Sequence, residues 1–148
     1  MYKKILVSTD GSKLSLKAIK TATQLAKSLG AGVMGVYVMP EYVPPVYGEA
    51  AIYMPEMSPK GFKDATAKQA KAALAVVEEA AKKAGVGFTG VSVTGAQPWQ
   101  SIVRTASGKK CDLIVMASHG RRGISGLLLG SETTKVLTHS KIPVLVVR

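Results

Sequence analysis

The sequence predicts an α/β domain built on a parallel sheet, and three observations carry that expectation. Short runs rich in Val, Ile, Leu and Met alternate along the whole chain with stretches whose apolar residues recur at helical spacing. Those runs are apolar at consecutive positions, as in Ile5-Leu6-Val7 and Leu113-Ile114-Val115-Met116, the pattern of strands covered on both faces. The 148 residues, 47% hydrophobic with a mean hydropathy of +0.18, suffice for one domain whose core needs neither disulfide nor metal.

The first strand is expected over residues 4–9, ending at the turn pair Asp10-Gly11. Ser12 then suits a helix N-cap, and Leu14, Ala18, Ala22, Leu25, Ala26 and Leu29 give the helix its apolar face before Gly30 stops it. Residues 33–38 read as a second, buried strand. From Met39 to about Gly61 the prolines Pro40, Pro44, Pro45, Pro55 and Pro59 argue against a regular element. Tyr42, Tyr47, Tyr53, Met54 and Met57 make that stretch too apolar for a plain linker.

A long helix follows over roughly 62–84, with Ala70, Leu74, Val77, Ala81 and Ala84 as its stripe. Glu78–Lys82 and Glu79–Lys83 are spaced as i,i+4 pairs, and Gly85 suits the C-cap. Residues 88–94 alternate like a third strand. Pro98 fits the first turn of the next helix, which would bury Trp99, Ile102, Val103 and Ala106. Residues 112–117 form a fourth strand, a short helix runs from Ser131 to about His139, and Val144–Val147 is the last strand.

Composition narrows the function. One cysteine, Cys111, excludes a disulfide framework and a multi-cysteine zinc site, and two histidines make a histidine-built metal centre a poor expectation. No apolar stretch approaches the length of a membrane span or the core of a signal peptide, so a cytoplasmic protein is expected. The net charge of +11 and pI near 9.9 suit anionic partners. The basic residues are nevertheless scattered, never three in a row, as on solvated helix faces.

Gly85-Val86-Gly87-Phe88-Thr89-Gly90 fits the dinucleotide fingerprint letter for letter, but it lies between a helix and a strand, the reverse of the required order. No P-loop motif is present. The informative stretch is 116–133, which leaves the carboxyl end of a strand, passes Gly120, Gly123, Gly126 and Gly130, and enters a helix at Ser131. Glycines admit close backbone approach, and a helix N-terminus offers oriented N–H donors, so a phosphate is the natural guest. Ser131 would cap that helix, with Arg121 and Arg122 adding charge nearby. The same residues also fit a plainer arrangement, with glycines as turns and Leu127–Leu129 covering the sheet edge. Asp10 fits either a ligand contact or an Asx turn, and His119 either a phosphate donor or an exposed loop residue. No base stands beside Ser131 in sequence to make it a nucleophile.

Three segments together resemble the nucleotide-binding universal stress proteins. These are Lys3-Lys4-Ile5-Leu6-Val7-Ser8-Thr9-Asp10-Gly11-Ser12, Cys111 to Gly120, and Pro143-Val-Leu-Val-Val-Arg148. The family motif is G-x-x-G, nine residues, then G-[ST]. This chain has Ala117-Ser118-His119-Gly120, nine residues, then Gly130-Ser131, with Ala117 in place of the first glycine. A methyl there is harmless if residue 117 has an ordinary β backbone.

The resemblance implies a Rossmann-like fold of the adenine nucleotide alpha hydrolase kind, with five parallel strands in the order 3-2-1-4-5 and helices on both faces. A ligand would then sit where the order reverses, beyond Thr9-Asp10 and Ala117–Gly120. It further implies that Asp10 and Val38 hold adenosine, that Met116, Ala117, His119 and Gly120 line ribose and phosphates, and that Gly130, Ser131, Glu132 and Thr133 complete the phosphate cradle. The implied ligand is ATP, or less tightly AMP or ADP, with Mg2+. The implied role is a regulatory stress-response module, at most a slow metal-dependent ATPase. The last strand, Val144–Val147, would pair antiparallel with a second copy to give a homodimer. A same-fold interaction module without nucleotide and a basic nucleic-acid binder are the alternatives.

Overall fold

A computed structural model describes residues 1–44, 55, 58–120 and 129–148. The elements are β1 (Lys4–Ser8), α1 (Lys13–Leu29), β2 (Gly32–Met39), α2 (Pro59–Ala84), β3 (Phe88–Thr94), α3 (Pro98–Gly108), β4 (Leu113–Ala117), α4 (Ser131–His139) and β5 (Val144–Val147). All strand pairs are parallel, in the order β3-β2-β1-β4-β5 expected from the resemblance.

Residue alternation divides the core between the two faces of the sheet. Ile5, Val7, Val33, Leu113 and Val115 point to the side covered by α1 and α2, where Ala18, Ala22, Ala26 and Val77 meet them. Leu6, Met34, Val36, Ile114 and Met116 point the other way, onto Ile102 and Ala106 of α3 and Val136 of α4. The small alanines let α1 lie close on the sheet, which is how a chain so poor in aromatics fills its interior. Ile19 and Thr23 also lie buried on α1, Thr23 because its hydroxyl is satisfied by the Ile19 carbonyl at 2.9 Å. On α2, Ala73 joins the buried stripe, whereas Ala84 is only half-buried.

The helix ends follow the sequence closely, with one instructive exception. Ser12 caps α1, its Oγ accepting from Ser15 N at 3.2 Å. Gly30 and Gly85 adopt left-handed conformations (φ 65° and 72°), and the next residues, Ala31 and Val86, donate back to Ala26 and Ala81. α3 ends by the same bond, Cys111 N to Ala106 O at 2.8 Å, but the left-handed residue is Lys110 (φ 55°).

The long helix starts earlier than its prolines suggested. Ser58 accepts from Gly61 N at 3.0 Å and Pro59 occupies the first turn, where a missing N–H costs nothing. The remaining expectations for 45–54, 56 and 57 lie outside the described residues. Of the two i,i+4 pairs on α2, Glu79–Lys83 closes at 2.6 Å, while Glu78 and Lys82 stay apart. Among the described residues no helix is long and apolar enough to cross a membrane.

Candidate functional site

The strand order reverses between β1 and β4, so the segments leaving these neighbours diverge at the carboxyl end of the sheet, the place where open α/β sheets take their ligands. On the β1 side, Thr9 is buried and its N–H donates to Val36 O at 3.0 Å, which ties the turn to β2. The Thr9 hydroxyl accepts from Gly11 N and lies 3.2 Å from Ser15 Oγ. Gly11 needs its positive φ of 77° to make this turn. Asp10 Oδ1 accepts from Ser12 N at 2.9 Å, which is the Asx turn the sequence allowed. Its other oxygen, Oδ2, faces Gly120, where an added Cβ would come within 2.9 Å of it. The ends of β1 and β4 are therefore face to face through these two residues.

On the β4 side the chain is fastened by backbone carbonyls. Ser118 is buried, and its N–H donates to Val147 O at 2.7 Å, holding β5 alongside. The Ser118 carbonyl receives Gly130 N at 2.8 Å and Thr133 Oγ1 at 3.2 Å, and the same hydroxyl lies 3.0 Å from Ala117 O. The first turn of α4 is thus bolted to the end of β4. A Cβ on Gly130 would lie 3.2 Å from Ser118 O and 3.4 Å from His119 Cα, so a side chain here would be a tight fit. Its φ of −61° would suit any residue. His119 lies beside it, its Nδ1 3.1 Å from Ser118 Oγ.

Gly130, not Ser131, is the N-cap of α4, which corrects the expectation from sequence. Ser131 is the first helical residue and is exposed. α1 and α2 are capped by serine hydroxyls, whereas α4 begins with no side-chain cap among the described residues. The first N–H groups of α4 thus have no side-chain acceptor among the described residues, and a helix N-terminus carries partial positive charge.

Ala117 lies within β4, and Lys110 is the one non-glycine with positive φ among the described residues, so the methyl at 117 strains no backbone. Its side chain faces the α1 side, whereas Met116 and Val38 lie on the α3 side, Val38 near the end of β2. Arg121 and Arg122 fall outside the described residues. Cys111 is buried against Met34, and burial pushes its thiol pKa up, so it acts as a packing residue.

Two features were not legible in sequence. Ser118 joins β4, β5 and α4 through backbone atoms, which no residue type announces. The Glu132 carboxylate turns to α3, where its Oε2 accepts from Trp99 N at 2.8 Å, while Oε1 lies 3.3 Å from Lys135 Nζ; its backbone stays in the first turn of α4. The indole of Trp99 in turn stacks on His139, with centroids 4.5 Å apart.

A parallel sheet in the order β3-β2-β1-β4-β5, with helices on both faces and a glycine-capped helix after its fourth strand, defines a doubly wound α/β domain. The universal stress protein family model matches residues 1–148, and the chain belongs to that family. It is 37% identical over 148 residues to the universal stress protein MJ0531 of Methanocaldococcus jannaschii, covering all of this chain and 83% of the relative. It is 34% identical to the universal stress protein YxiE of Bacillus subtilis, with both chains fully covered. Among solved structures, a universal stress protein in complex with cAMP superposes with a TM-score of 0.71 at 32% identity, covering 99% of this chain and 97% of that one. UspA of Lactobacillus plantarum reaches a TM-score of 0.82 at 26% identity, covering 99% and 98%.

Proposed function

We propose that this protein binds an adenine nucleotide at the carboxyl ends of β1 and β4 and acts as a regulatory module of the stress response, not as a metabolic catalyst. The observation that carries the reading is the start of α4, which has no side-chain cap and is packed through Gly130 against the end of β4, the same strand end whose Gly120 faces Asp10. The relative solved with cAMP supports adenosine monophosphate chemistry as the ligand class.

In this reading Thr9, Asp10 and Val38 lie against the adenosine, and Met116, Ala117, His119 and Gly120 line the ribose. Ser131, Glu132 and Thr133 offer backbone N–H groups to phosphate oxygens, where the helix dipole favours negative charge, while Gly130, its own N–H held by Ser118 O, keeps the approach open. ATP, with AMP and ADP less tightly held, is the proposed ligand. Mg2+ is proposed to accompany the triphosphate, whose oxygens are themselves ligands for it.

Release of adenine absorbance from freshly purified, heat-denatured protein tests the binding. Nucleotide in the supernatant, or calorimetric binding of added ATP, is expected. A protein that carries none and binds none at millimolar ATP overturns the reading.

The homodimer belongs to the same proposal. Pro143 O and Val147 O accept from Ile114 N and Ser118 N of the β4 segment. Residues 143 and 147 therefore face β4, and the alternate residues Val144 and Val146 turn their N–H and C=O to the open edge. Leu145 on this edge strand is an exposed apolar residue. Such an edge accepts a second copy by strand pairing.

A further inference from the structure

We infer that Glu132 sets how strongly the site discriminates by phosphate number: its carboxylate, drawn away by Trp99 N–H and partly neutralised by Lys135, disfavours a triphosphate relative to a monophosphate. The inference rests on the proposed nucleotide site and adds a determinant within it.

The geometry is specific. Glu132 is the second residue of α4, directly after Ser131, so a free carboxylate there would occupy the field that a phosphate seeks. Instead it spans to the next helix. Gln97 gives α3 no side-chain cap, and Pro98 has no N–H, so Trp99 N–H is the first backbone donor of α3, and Glu132 Oε2 satisfies it at 2.8 Å. Lys135, one turn on, holds the other oxygen at 3.3 Å.

The carboxylate thus caps α3 while remaining a negative charge beside the start of α4. Repulsion between like charges scales with the charge brought in, so the penalty grows from monophosphate to triphosphate. Lys135 and the α3 dipole offset only part of it. Side-chain exposures of 37% for Glu132 and 47% for Lys135 leave both charges within reach of solvent, which keeps the effect moderate.

The test pairs two substitutions of opposite sign, each titrated calorimetrically with AMP and with ATP in EDTA so that metal plays no part. Glu132→Gln keeps an oxygen for Trp99 N–H and removes the charge. ATP affinity is expected to rise about threefold to tenfold and AMP affinity less than twofold. Lys135→Met uncovers the charge, and ATP affinity is expected to fall while AMP changes little. Glu132→Ala removes the α3 cap as well, so hydrogen exchange at the Trp99 amide should quicken in that variant and not in Glu132→Gln. That readout does not depend on nucleotide.

An unchanged ATP-to-AMP ratio in both Glu132→Gln and Lys135→Met overturns the inference, as does a loss of ATP affinity in Glu132→Gln. Wild-type protein that binds neither nucleotide overturns the site itself and the discrimination with it. Unaltered Trp99 exchange in Glu132→Ala refutes the capping contact.

Discussion

Gly130→Val probes the junction on which the proposed site depends. The added Cβ would stand 3.2 Å from Ser118 O, tighter than ordinary contact by a few tenths of an ångström, and would touch His119 Cα at 3.4 Å. Both neighbours are backbone atoms, and Ser118 is itself anchored by its N–H to Val147 O at 2.7 Å, so α4 must retreat instead. That retreat strains the Gly130 N–Ser118 O bond of 2.8 Å and the Thr133 hydroxyl contacts at 3.0 and 3.2 Å. Overpacking together with one weakened hydrogen bond costs about 2 kcal/mol, or roughly 4–8 °C in Tm for a domain of this size. The valine methyls would also stand where phosphate oxygens approach the helix N–H groups. ATP affinity is expected to fall at least tenfold, about 1.4 kcal/mol. Thermal unfolding and titration calorimetry measure the two effects separately. Gly130→Ala should show a milder form of both, and Gly120→Ala should be gentler still on stability, because the atom in its way is a carboxylate oxygen of Asp10. A Gly130→Val protein with wild-type Tm and wild-type ATP affinity would refute the reasoning about close approach.

Two further outcomes are expected. Lys110 holds a left-handed backbone (φ 55°) that costs a side-chain-bearing residue about 1–2 kcal/mol, partly offset by the greater unfolded-state freedom of glycine. Lys110→Gly should therefore stabilise by about 0.5–1 kcal/mol, seen as a Tm raised by roughly 1–4 °C, and a lowered Tm would contradict it. On β5, Val146→Pro removes an N–H that faces the open edge and should give a folded monomer by light scattering. Val147→Pro removes one directed at β4 and should instead lower Tm. A dimeric Val146→Pro, or a wild type already monomeric at tens of micromolar, would sink the edge-pairing proposal.

Most of the fold could be read from the chain because its local signals agree with its tertiary ones. Consecutive apolar residues in β1 and β4 announced two-sided burial, and Gly30 and Gly85 announced helix ends that do adopt positive φ. The start of α2 was misplaced because Pro59 was weighed as a breaker, although proline at a first helical turn breaks nothing. The site was legible where side chain or glycine chemistry is decisive, as at Asp10, Gly120 and Gly130. It was illegible where backbone carbonyls do the holding, as at Ser118. A long side chain such as Glu132 can reach either of two helix ends, and the sequence does not say which. The cap of α4 was assigned one residue too late because serine is the stronger capping type, while close packing against β4 favours glycine at the position.

The central place of β1 has a consequence for how the chain is made. β1 pairs with β2 at residues 32–36, but its other edge meets β4 only at residues 113–115. Asp112 then fastens the join, its carboxylate accepting from Lys3 N at 2.7 Å and Lys4 N at 3.0 Å. At roughly 5–20 residues per second, several seconds of synthesis separate the emergence of β2 from that of β4. During that interval the Ile5-Leu6-Val7 edge has no hydrogen-bonded strand to close it. The nascent amino-terminal half is then the aggregation-prone species, and a chaperone that shields a strand edge would act before residue 113 leaves the ribosome.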